Sequence, residues 1–372
     1  MLSFNTQKSL RGVAMVTTLA VISFATACGN DGVTPVSAAP GFLGGTSDNH
    51  EIGVVVNSTL KAVTMFQLGS PATQVQIPLG ASATVTPVGL SLRGRMAAVP
   101  LGNAASVSLV DLATQTVTRT FTFPSGNTTG SVWANDTTFF AANTATNKIG
   151  RVYINQTASE ITSTVDVGPS PTAMVAAKGR VFAILGNLDT NYMAIGNGIV
   201  TAINPATNTV IGSVQTGGTN PTTAAVGPDS LIYVLNTGDY VTPSTLTIID
   251  PATLTVVTTV TNVGTGMGAI NIDAAGMAYL SSFSGATTVW NTKTRTFLRG
   301  SDNPVCAKLP TGVCRGAADA TANSAGKLYQ AFFGSASRNQ PAYIFVYSPA
   351  SFALTDSISV GSGPIQINIR TF

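Results

Sequence analysis

One short turn signature returns along this chain at a nearly even step, and that repetition limits the fold more than any other feature. Its clearest copy is Asp250-Pro251-Ala252-Thr253. Asp at the first turn position can bond its own backbone, and Pro at the second presets φ, so the four residues predict a tight hairpin turn. The flanking stretches 245–249 and 255–260 are rich in Thr, Val and Ile, as strands packed less completely on one side are. Ahead of them, 231–235 (LIYVL) is an unbroken apolar run of strand length, suited to cover on both faces. Residues 221–264 therefore read as a unit of four short strands.

The turn slot recurs near Gln67 and at Asp111, Asn155, Asn204, Asp250, Asn291 and Ser348, a mean step of about 47 residues, the spacing of four-stranded propeller blades. Two more markers keep the same step. Asn closes the preceding apolar strand at Asn57, Asn103, Asn143, Asn187 and Asn236, and Gly-rich links lie at 168–171, 217–221, 264–266 and 361–364. Residues after Gly363 (PIQINIRTF) resemble the first strand of a blade, whereas the sequence after His50 begins at a second strand. Joined, the two ends complete one blade and remove an open sheet edge. The expectation is an all-β fold, a seven-bladed β-propeller with its terminal blade closed by the C-terminal strand.

Tyr233-Val234-Leu235-Asn236, followed by Ile248-Ile249-Asp250-Pro251-Ala252-Thr253 and a Val/Thr strand ending at Val263-Gly264, resembles the repeat of YVTN-type, YncE-like propellers. Lactonase-like propellers are more distant relatives of that family. The resemblance covers roughly residues 50–372 and is strongest in blades four and five. In place of Tyr-Val-x-Asn, blade six has Ala278-Tyr279-Leu280-Ser281 and blade seven Leu328-Tyr329-Gln330-Ala331. It implies a fold and says almost nothing about function.

The first 27 residues read as a signal peptide, with Lys8 and Arg11 before an apolar stretch, 13–24, too short to span a bilayer. Ala25-Thr26-Ala27-Cys28 then resembles a bacterial lipobox, with Cys28 as the acylated residue; the plainer reading is a secretory signal with an incidental Cys. Residues 28–50 form a Gly/Ser/Pro-rich tether and 51–372 the propeller. This predicts an exported, membrane-anchored lipoprotein of the bacterial cell envelope, on the outer-membrane or periplasmic side. Loss of Lys8 and Arg11 takes the net charge from +3 to +1, and no Lys/Arg cluster offers a nucleic acid a footprint. Cys306 and Cys314, eight positions apart around Pro310-Thr311-Gly312, are expected to form a local disulfide; a reactive pair is the other reading, without a redox motif nearby.

Catalytic chemistry has little to draw on. His50 is the only histidine and lies at the tether junction, which disfavours Ser-His-Asp and histidine-metal chemistry. Of 15 acidic residues, Asp111 and Asp250 are turn residues, and Glu51, Asp136, Asp166, Asp229, Asp273 and Asp319 show no metal-ligand spacing. The Asn series could ring one rim and bind polar or sugar groups, or simply cap strand ends. Trp133 and Trp290 read as packing residues.

Loop length gives the best functional signal. In a propeller, the links between second and third strands share one face with the blade-to-blade crossovers. The longest irregular stretches, 187–198, 237–244, 300–316 and 334–342, all fall there in blades four to seven. They place Asp189, Tyr192, Met193, Asp239, Tyr240, Arg315 and Arg338 on one side, and Tyr and Arg are favoured interface anchors. Tolerated loop drift would give the same lengths. The reading is a monomeric, non-catalytic binding or scaffold module for protein or glycan, with no cofactor. A lactonase-like hydrolase with its site in the central channel is the alternative.

Overall fold

In the computed structural model, which describes Phe42, Leu43 and residues 51–335 and 340–372, every blade forms a four-stranded antiparallel sheet. Seven sheets stand in a ring: blade two spans 91–122, blade three 128–166, blade four 171–215, blade five 221–260, blade six 269–299 and blade seven 319–358. Blade one combines residues 51–78 with the strand Pro364–Thr371. That last strand pairs antiparallel with Glu51–Asn57, Val54 opposite Asn368 and Glu51 opposite Thr371, so the two ends close the ring as the sequence predicted. The signal peptide, Cys28 and His50 fall outside the described residues.

Burial follows strand position. Second strands such as Ile232–Asn236 are wholly buried, and outer strands such as Thr255–Val260 are largely exposed. Seven apolar clusters sit between neighbouring blades, for example Tyr233, Leu246, Ile248, Leu280 and Trp290 between blades five and six. Phe42 and Leu43 join the cluster of blades one and two, and Gln67 Nε2 donates to the Phe42 carbonyl at 3.0 Å.

The third strands depart from expectation, because Thr245–Asp250 is buried across its four central residues. A buried Thr is tolerated there because its hydroxyl is bonded. Thr247 Oγ1 donates to the Thr216 carbonyl of the preceding blade at 2.7 Å and accepts from Asn236 Nδ2 at 2.9 Å. Thr64, Thr201 and Thr288 occupy the same slot and reach the carbonyls of Val360, Val167 and Val263. These hydroxyls link each blade to the one before. Thr247→Val, which keeps the shape and removes both bonds, is expected to cost about 2 kcal/mol in urea unfolding.

The recurring turn is also longer than expected. Asp250 pairs with Thr255 around a four-residue loop, its Oδ1 accepting from Ala252 N at 2.8 Å, and Leu254 closes the loop at φ 56°. A register shift between Ile248 and Ile249 follows, a bulge that twists the outer edge away from foreign strands. Arginines brace this side of the ring: Arg151 Nη1 donates to Ala206 O at 2.8 Å and Arg180 Nη1 to Pro251 O at 3.2 Å, each reaching the next blade's turn.

Candidate binding face and central channel

Within each blade the first strand runs from the crossover side to a hairpin, and the third strand repeats that direction. In blade five the hairpins 227–231 and 251–254 therefore share one face, and the loop 237–244 and crossover 261–268 share the other. The four long stretches all emerge on this second, loop face, between the second and third strands of blades four, five and seven and in the crossover into blade seven. Long connections are not confined to blades four to seven as expected: the crossover 79–90 also lies on this face, and the ten-residue link 154–163 of blade three lies on the hairpin face. The crossover 79–90 brings Pro87, Val88 and Gly89 to the channel wall.

Two of the predicted anchors are held by the same device. Asp189 Oδ1 accepts from the backbone N of Asn191 at 2.8 Å and of Met193 at 2.9 Å. Asp239 Oδ1 accepts from Val241 N at 2.9 Å, Thr242 N at 2.7 Å and Thr242 Oγ1 at 2.9 Å. The Thr242 N–H, then the Val241 N–H and the Thr242 hydroxyl, hold the Asp239 carboxyl below the usual carboxylate range. Each carboxylate brackets a tyrosine in the left-handed region, Tyr192 at φ 62° and Tyr240 at φ 63°. That region costs a residue with a side chain about 1–2 kcal/mol, which the bracketing bonds offset. Tyr192 is 76 % exposed and Tyr240 62 %.

Aliphatic and aromatic side chains surround them. Val241 is 80 % exposed, and Met193, Ile195, Phe283 and Val313 also project into solvent. Val313 stands on the turn bounded by the Cys306–Cys314 disulfide, whose Cα atoms are 5.5 Å apart. The loops form one hydrogen-bonded series: Asn220 Nδ2 to Gly238 O at 3.1 Å, Thr237 Oγ1 to Met267 O at 2.7 Å, and Ala317 N to Ser282 O at 2.7 Å. Phe283 then meets Phe333 of blade seven with ring centroids 5.9 Å apart. Of this apolar arc the sequence singled out only Met193; Ile195, Val241, Phe283 and Val313 were missed, because apolar residues in loops carry no distinctive signal.

Arg315 is directed inward. Its guanidinium lies over the Phe332 ring, 5.2 Å from the centroid, with Nη1 buried. Arg338 lies outside the described residues. The Asn series is mostly spent on structure: Asn57, Asn143 and Asn236 are buried, with Asn57 Nδ2 donating to Val360 O at 3.0 Å and Asn143 Nδ2 to Ser125 O at 2.8 Å. Trp133 and Trp290 are buried as expected.

The central channel encloses about 670 Å³. Its inner strands are tied by side chains: Gln366 Oε1 accepts from Leu90 N at 2.7 Å, Ser91 Oγ meets Ser131 Oγ at 2.8 Å, and Thr172 Oγ1 donates to Pro221 O at 2.9 Å. Asp319 closes this girdle between blades six, seven and one. It is 2 % exposed, and its oxygens accept from Asn271 Nδ2 at 2.6 Å and Ile367 N at 3.0 Å. Desolvation outweighs those donors and pushes its carboxyl up to about 7. Among the described residues no cation pairs with it, and no three His, Cys, Asp or Glu side chains converge as metal ligands would.

No family model and no curated protein matches the sequence. Among solved structures, a chain of Kuenenia stuttgartiensis hydrazine synthase superimposes with a TM-score of 0.56 at 13 % identity, covering 80 % of this chain and 99 % of that one. At that identity the likeness shows the shared propeller fold and nothing of activity.

Proposed function

We propose that this chain is an exported, lipid-anchored propeller of the YVTN, YncE-like type, and that it serves as a non-catalytic binding module in the cell envelope. Cys28 would carry the lipid, and the loops of blades four to seven would form the binding face. The observation that carries this reading is the bracketing of Tyr192 and Tyr240. Two loops on neighbouring blades each commit a carboxylate to holding a tyrosine outward in a costly backbone conformation. The hairpin at Asp250–Leu254 also pairs an Asp with a left-handed residue, so what sets these two loops apart is that the residue so held is a solvent-exposed tyrosine. The disulfide supports export, since such bonds persist in oxidising compartments.

The lactonase-like alternative would put its chemistry in the channel. There the buried acid Asp319 is engaged with strand-closing donors, and the residues around it do not supply the donor set that a hydrolytic metal needs.

Crosslinking in intact cells, followed by affinity capture and analysis of both proteins and glycans, tests the binding module. A folded variant carrying Tyr192→Ala, Tyr240→Ala and Arg338→Ala is expected to lose at least tenfold of whatever the native chain retains. Equal capture by both would remove the loop face from the proposal.

A further inference from the structure

We infer that the central channel is a second binding site, which takes a small organic carboxylate with its charge at the hairpin end beside Arg370. The site is separate from the loop face, and a loop face without a partner would leave it intact. Charge selects the sign of the ligand. Of the residues that line the channel, only Arg93, Arg370 and Asp319 are ionisable. Asp319 is 2 % exposed, and its oxygens are turned to Asn271 and the Ile367 N–H within the wall. Arg93 Nε donates to Asp136 at 2.6 Å. Arg370 has neither an acid at ion-pair distance nor a hydrogen-bond acceptor among the described residues. First strands run toward the hairpin face, so Arg370, near the end of Pro364–Thr371, and Arg93, at the end of Ser91–Arg93, stand at the same end of the channel. That end is positive.

Hydrogen-bonding capacity is left over at the same place. Along the closing strand Ile367 and Ile369 pack with blade seven, while Gln366, Asn368 and Arg370 fall on the other face, about 7 Å apart from one to the next. Gln366 is spent on blade two, accepting from Leu90 N at 2.7 Å and donating to Leu90 O at 3.2 Å. Ser131 Oγ donates to Ala98 O at 2.9 Å and Thr129 Oγ1 to Pro171 O at 2.8 Å, so the wall opposite is also committed. Asn368 has no partner, and its Nδ2 is buried without an acceptor. A buried donor left unpaired is costly, and a ligand oxygen reached by turning the amide about its soft terminal torsion relieves that cost.

Size and wall decide the rest. A volume of about 670 Å³ holds a small molecule. Leu92, Val132, Ala173 and Ala225 line it and are half-buried, which gives a carbon skeleton contact and an inorganic anion none. One unpaired guanidinium matches one carboxylate through its parallel N–H donors.

The test uses the full-length chain and fluorine NMR of two probes of the same shape, para-fluorophenylacetate and the neutral para-fluorophenylacetamide. The carboxylate is expected to bind, and the amide to bind at least about tenfold more weakly. Arg370→Gln should weaken the carboxylate by at least about tenfold while leaving the amide and the melting temperature unchanged. Arg95→Gln removes a charge from the same hairpin as Arg93 but outside the channel lining, and should alter neither probe. Thr223→Leu adds bulk to the lining without removing a side-chain hydrogen bond, and should weaken both. Equal affinity for the two probes, no carboxylate bound at millimolar concentration, or its displacement by equimolar inorganic phosphate would each overturn the inference. So would native binding in Arg370→Gln, a loss in Arg95→Gln as large as in Arg370→Gln, or unchanged binding of both probes in Thr223→Leu.

Discussion

Removing Pro364–Phe372 is expected to abolish the single cooperative unfolding transition and leave a chain largely unfolded at 25 °C. The strand supplies the inner edge of blade one, and Ile367 within it is fully buried among Val55, Tyr329 and Val360. Truncating one such side chain costs about 2–5 kcal/mol. Deleting the strand also strips cover from Val54, Val55 and Val56 and opens the ladder with Glu51–Asn57. The sum is on the order of 10 kcal/mol, comparable with the whole stability of a domain. Circular dichroism melting of the shortened chain checks this, and a synthetic peptide of the missing residues should restore part of the transition. A melting temperature within a few degrees of the full chain would show that the ring does not depend on its closure.

The second large effect concerns Asp319. Its carboxyl titrates near 7 in the folded ring and near 3.8 when unfolded. Between those values the folded state keeps a proton that the unfolded state has released, so stability falls as pH rises from about 4 to about 7 and is level above that. The difference corresponds to roughly 4 kcal/mol. Urea unfolding at pH 5 and pH 8 should show most of this loss in the native chain, and Asp319→Asn should flatten it. Asp319→Ala differs, because it leaves the buried Ile367 N–H without its acceptor and Asn271 Nδ2 with only the Ala320 carbonyl, and it should be destabilised by about 2–5 kcal/mol at both pH values. An unchanged pH slope in Asp319→Asn would show that the group stays ionised in the ring.

The repeat was legible because blades are built from local signals. Turn residues, apolar second strands and Gly-rich crossovers each declare themselves within a few positions, and the mismatch between the two ends fixed the closure. The tyrosine loops were legible as lengths, since rigid neighbours make a long insertion conspicuous. What could not be read needs the ring itself. Asp319 is one acid among many until three blades bring Asn271 and Ile367 to it. Asp229 and Asp273, unplaced by spacing, accept the hydroxyls of Tyr233 at 2.7 Å and Tyr279 at 2.9 Å. That pairing is local, and an Asp a few residues before the strand tyrosine was a signal within reach. Arg315 resembled an interface anchor only because its stacking on Phe332 depends on how blade seven folds.

The most direct test of the binding face is hydrogen–deuterium exchange of the purified propeller, alone and with solubilised envelope proteins. The account predicts slowed exchange in the backbone of 187–198, 237–244 and 306–316, with the hairpins 177–180, 227–231 and 273–277 unaffected. Slowing confined to those hairpins, or slowing nowhere, would contradict it.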